Sequence, residues 1–151
     1  MVHQLNQSSV ATIQLTWQSI LWRLLLTALL STWNHYQLVN TAHKEIETAA
    51  QHAGYAASAI TVKDTHMHLH HAINCMVGPM GLGYDSNFAD PCKGMGDGAL
   101  NDTQDATAKT MVDQALSLAK VGVQIEGKAA AQDTAKAVQQ LLTDAGKNTS
   151  M

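Results

Sequence analysis

Charge is what this sequence has least of. Only 14% of its 151 residues are Asp, Glu, Lys or Arg, against the usual quarter. The first 42 residues carry a single charge, Arg23, and all twelve acidic residues lie at position 45 or later. With a net charge of −3 there is no basic footprint for nucleic acid, and no such partner is expected. Aromatic residues make up 5%, so any core must be built from alanine and aliphatic side chains. No uninterrupted apolar run reaches the ~20 residues that span a bilayer. There is no nucleophile elbow, no phosphate-cradling glycine loop and no complete zinc-finger spacing. No acid–base or nucleophilic constellation is visible, so no residue is assigned to catalysis and no enzymatic activity is expected.

The low-charge segment, residues 1–42, reads as a leader. Arg23 precedes Leu24-Leu25-Leu26-Thr27-Ala28-Leu29-Leu30, the order of a secretory signal: a positive charge, an apolar stretch, then small and polar residues. Two other readings stay open. Residues 20–33 can anchor the chain to a membrane if the leader is retained, or Leu24 to Leu30 can pack onto the fold as an ordinary amphipathic helix.

What the chain has in excess is histidine. His66, His68, His70 and His71 fall within six residues, and Cys75 follows four positions after the last. From His43 to Val77 there is no proline, and the apolar residues Ile46, Ala49, Ala53, Ala56 and Ile60 recur at helical spacing. A second stripe, Val62, His66, Leu69, Ile73 and Met76, runs in another phase. The slip predicts two helices, 43–60 and 64–77, with a turn near Thr61 to Asp64 and an N-cap at Asp64 or Thr65. On the second helix His66 and His70 stand one turn apart on the same face, and His68 and His71 form an adjacent pair. A hairpin of the two helices brings His52 towards them. Imidazole suits copper, zinc and other divalent transition ions, and thioether sulfur shifts preference towards reduced copper. With Met67, Met76, Met80 and Met95 nearby, copper is the expected ion, bound by His66 and His70 with His68, His71 and His52 in support.

Residues 78–100 hold six of the ten glycines and both prolines, which ends the helix and makes a long loop. In an exported protein Cys75 and Cys92 are expected to form a disulfide, folding the loop over the histidine-bearing helix. Tyr84 and Phe88 are then candidates to plug the bundle's end. Asp85, Asn87, Asp90 and Asp97 do not match an EF-hand and read as turn formers. Two further stripes follow. One runs Ala108, Met111, Ala115, Leu118, Gly122 and Ile125; the other runs Ala131, Ala135, Val138, Leu142 and Ala145. They predict helices over 103–126 and 129–145, with a frayed tail at 147–151.

The expected fold is all-α: an antiparallel four-helix bundle over 43–146, with a long Gly-rich loop between helices 2 and 3. Within it His43-Lys44-Glu45-Ile46 and Ala49-Ala50-Gln51-His52-Ala53, continuing to His71, resemble the small His-rich helical metal-binding proteins of the bacterial periplasm (SmbP-like). Those carry alanine-and-histidine repeats on bundle helices and bind copper and other divalent ions. The glycine-rich loop, the cysteine pair and the histidine-free second half depart from that pattern. The resemblance and the spacing imply a periplasmic or secreted copper-binding bundle that buffers or delivers the ion, with a dimer allowed. The alternatives are a disulfide-stapled structural or interaction domain without metal, and a non-covalent heme carrier using His66 or His70.

Overall fold

The computed structural model describes the backbone of residues 7–149 and the side chains of residue 20 and of 22–149. The first six residues of the expected leader and the last two of the expected tail lie outside the described residues. Among the described residues every regular element is helical: α1 (Gln7–Ser58), α2 (Val62–Val77), α3 (Ala99–Asp102), α4 (Ala106–Gly122) and α5 (Lys128–Thr149). The chain divides into two compact units, one ending at Tyr36 and the other beginning at Gln37.

Among the described side chains of the first unit the large apolar ones are exposed, Trp22 and Leu30 each at 67%. The hydroxyls of Thr27, Ser31 and Thr32 donate to carbonyls three residues back. Among the described residues no helix is long and apolar enough to cross a membrane.

The second unit contains the core. Ile46, Ala49, Ala53 and Ala56 of α1 are fully buried, with Leu69, Ala72 and Met76 of α2. Ala108, Val112, Ala115 and Ala119 of α4 join Ala135, Val138, Leu142 and Ala145 of α5. Alanine at so many core positions lets helix backbones approach closely. Gly122 shows how closely: a Cβ there would lie 2.8 Å from Leu69 Cδ1 and 3.1 Å from Thr134 Cγ2. Ile60, expected to close the α1 stripe, is 84% exposed, because α1 stops at Ser58 and the link turns it outward.

Several expected boundaries move. The N-cap of α2 is Thr61, not Asp64 or Thr65. Its Oγ1 accepts from the Asp64 N–H at 3.1 Å and its hydroxyl donates to the Asp64 carboxylate at 2.7 Å, a reciprocal cap of the Ser/Thr-x-x-acid kind. Helix α4 begins at Ala106, capped by the Asp105 carboxylate, which accepts from Ala108 N–H. Asn101 and Asp102 belong to the short α3. Helix α5 does not fray at Lys147 but runs to Thr149, a buried residue whose hydroxyl meets His43 Nδ1 at 3.0 Å.

The long loop is pinched shut at its neck. Gly78 (φ 68°) and Gly98 (φ 103°) have positive φ, and a Cβ on Gly98 would meet the backbone of Val77 and Gly78. Only glycine fits this approach. Two carboxyls hold the neck: Glu45 Oε1 accepts from Gly98 N–H at 3.1 Å, and Asp102 Oδ2 accepts from Asp97 N–H at 3.0 Å. Glu45 is 1% exposed and its Oε2 has no other partner. Burial, then the Asp102 carboxylate, pushes the Glu45 carboxyl up from 4.5 to about 8, and the Gly98 N–H offsets this only in part. The protonated acid can donate to Asp102.

That proton sets a pH dependence. Between the unfolded value of 4.5 and the folded value of about 8, the folded chain holds a proton that the unfolded chain has released, so stability falls as pH rises across that window. Glu45→Gln keeps the shape of the neutral acid and cannot ionise. In thermal melts the wild type should lose Tm relative to Glu45→Gln as pH rises from 5 to 8, with the two converging near pH 4.5. A gap that stays constant across the range contradicts this assignment.

Candidate metal centre

Helix α2 has one core-facing edge, marked by Leu69, Ile73 and Met76, all buried. At about 100° per residue, His66 and His70 fall on one flank of that edge and His68 and His71 on the other. The expected core pair, His66 and His70, is therefore separated from its expected supporters. The structure brings His68 and His71 to His52 of α1. One ring nitrogen of each lies within 4.8 Å of the other two, and all three residues are half-buried. Ring centroids are 5.1 Å apart for His52–His71, 5.5 Å for His68–His71 and 5.6 Å for His52–His68. Tyr55, one turn beyond His52 on α1, packs its ring 5.4 Å from His52 and 5.5 Å from His68.

The electrostatics of the triad suit a cation other than a proton. Burial first, then His71 and His68, pulls His52 down to about 4. His71 is lowered by burial, then by His68 and His70. These two rings are neutral at pH 7 and keep a lone pair free for coordination. His71 Nδ1 is buried and has no hydrogen-bond partner. His52 Nδ1 and His68 Nδ1 are 3.4 Å apart. Two nitrogens bound at 2.0–2.1 Å to one tetrahedral ion would be about 3.3 Å apart, so this pair already has the spacing of two ligands. The third, on His71, lies within 4.8 Å of both.

The other flank is occupied differently. His66 Nε2 donates to the Ile125 carbonyl at 2.9 Å, and the His70 ring stacks on Phe88 with centroids 3.8 Å apart and planes 3° off parallel. His70 is lowered by burial, against an opposing pull from Asp85. Phe88 thus covers α2 rather than plugging the end of the helices, while Tyr84 packs on the core. Of the nearby methionines, Met76 is buried in the core, Met80 is 93% exposed, and Met95 Sδ accepts from the Thr48 hydroxyl.

Cys75 and Cys92 are joined in a disulfide, with Cα atoms 5.1 Å apart. Among the described residues no free cysteine remains. Such a bond belongs to an oxidising, extracellular-type compartment. Beside it Asn74, fully buried, gathers the loop. Its side-chain N–H groups face the carbonyls of Asp85, Phe88 and Ala89 at 3.0, 3.3 and 3.2 Å, and its Oδ1 accepts from Asp85 N–H at 2.9 Å. Asp85 and Asp90 cap their own turns as the sequence suggested. Nothing in the pattern of residues marks Asn74, except a polar residue standing between two core positions.

No known family model matches the chain, and no curated protein or solved structure gives a significant match.

The Asn74 contacts carry a prediction. Asn74→Ala removes the shared partner of several loop groups, each costing about 1–3 kcal/mol if left buried and unpaired. The variant should lose at least about 2 kcal/mol of stability. Its amide hydrogen exchange should accelerate at Asp85 and its loop neighbours while α5 exchanges as before. Unchanged loop exchange would show that Asn74 does not hold the loop.

Proposed function

We propose that the chain is an exported, periplasmic or secreted, metal-binding helical protein that buffers or delivers a transition-metal ion. The ion is held by His52, His68 and His71. The architecture we read for it is the antiparallel four-helix bundle expected from the sequence, formed by α1 beyond residue 42 with α2, α4 and α5. The observation that carries the reading is the convergence of three half-buried imidazoles from two helices, two of them held neutral. An all-imidazole set suits copper and zinc, and the general affinity order of divalent ions places copper first. The likeness to small His-rich periplasmic proteins agrees with this reading, as does the disulfide. The same disulfide also favours a second reading, a stapled interaction domain without metal, since a covalent bond ties the loop to α2 without needing an ion.

Competition titration of copper(II), repeated with zinc, separates these readings. The wild type should bind one ion tightly. His52→Ala, His68→Ala and His71→Ala should each weaken binding by at least tenfold to 100-fold, as even the loss of a supporting group does at known metal sites. The His66→Ala/His70→Ala double variant should stay within about threefold of wild type, because neither side chain is grouped with the triad. Loss of binding in the double variant alone would return the site to the other flank of α2. No binding above a peptide background would leave only the stapled domain.

A further inference from the structure

The flank of α2 that the metal reading leaves unused encloses a cavity of about 630 Å³, within the roughly 300–1,000 Å³ of small-molecule sites. Val62, Met67, His66 and His70 of α2 form one wall, and Phe88 of the loop forms another. His52 and His68 do not line it; of the triad only His71 does. We propose that this cavity is a binding site for a small fused-ring aromatic molecule bearing a phenol-type O–H.

Three features point to that chemistry. The walls are built before any ligand arrives: the Asn74 side chain holds the backbone around Phe88, and the Cys75–Cys92 bond ties the loop to α2. A preformed cavity spares the ordering cost that weak ligands cannot meet. The lining offers flat and soft surfaces, the Phe88–His70 stack and Met67, which favour an aromatic ring over an aliphatic chain. The polar handle is His66. Ile125 O can only accept, so His66 Nε2 carries the hydrogen of the 2.9 Å bond. In the neutral ring Nδ1 is then an acceptor by necessity, oriented by the bond its other nitrogen makes. Beside Val62, Met67, Phe88 and Ala89, and in a lining that also holds His71 and Asn87, an oriented acceptor selects a ligand that has a donor and rejects the same shape without one. At the rim Lys63 and Glu126 are both exposed and opposite in sign, which gives no preference for a charged ligand.

The test uses the full chain with chelator present, so that it is independent of the metal reading. 2-Naphthol is titrated by its own fluorescence and compared with 2-methoxynaphthalene, which has the same rings and no donor. The wild type should bind 2-naphthol saturably and prefer it over the ether by about two- to tenfold, the value of one net hydrogen bond. His66→Ala should abolish the preference while both ligands still bind. Val62→Trp should block both, and His52→Ala should change neither. A nitrogen-15 spectrum of the wild type, which depends on no variant folding, should show the His66 ring signals move on adding 2-naphthol. Absence of saturable binding, unmoved His66 signals or a preference that survives His66→Ala would each overturn the proposal.

Discussion

Helix α2 can turn only one edge towards the core, and that constraint sorts every histidine it carries. Leu69, Ile73 and Met76 take the buried edge because burying each such side chain is worth about 1.5–3 kcal/mol, more than any solvated imidazole can return. Once they are seated, His68 and His71 must face α1, and His66 and His70 must face the loop and the α4–α5 link. Two chemically distinct surfaces thus arise on one short helix. One is a set of converging nitrogens; the other is a cavity wall on which the His66 ring is fixed by its bond to the Ile125 carbonyl.

The loop gives α2 its rigidity. Asn74 and Cys75 are consecutive, both fully buried, and both reach into the same segment, one by hydrogen bonds and the other by a covalent bond. The disulfide closes residues 17 apart in sequence, for which chain entropy allows about 3 kcal/mol. A core this rich in alanine buries little area per residue, so a staple of that size is a large share of the marginal stability of a small domain. The glycine pinch at Gly78 and Gly98 and the Glu45–Asp102 carboxyls then seal the neck. The neck is held by backbone N–H bonds to two carboxyls, one of them raised by burial to about 8, so the loop's attachment is tied to pH while the α2 anchorage is not.

Much of this was legible in the sequence. The stripe Ala131, Ala135, Val138, Leu142 and Ala145 is fully buried as its spacing implied, and the phase slip after Ile60 marks the real break between α1 and α2. The cysteine pairing and the turn-forming aspartates were also readable, because each depends on local spacing or composition. On α4 the expected stripe held at Ala108, Ala115 and Gly122, which are buried, but Val112, Leu116 and Ala119 are buried in place of Met111 and Leu118, which are only partly so, since alanines on several sides leave the helical phase ambiguous. What could not be read was anything that depends on which helix flank meets which neighbour. Periodicity separates His66 and His70 from His68 and His71, yet only the packed structure shows that His52 lies on the second flank. Glu45 was hidden for a similar reason: a carboxylate next to Ile46 looks like a solvated residue until the loop neck closes over it.

The account stands or falls on three imidazoles sharing one ion. X-ray absorption on the zinc-loaded protein measures this directly. It should show a four-coordinate ion with three imidazole nitrogens at 2.0–2.1 Å, the outer-ring scattering that identifies histidine, and one further light atom. A six-coordinate, oxygen-dominated shell with one imidazole or none would contradict it.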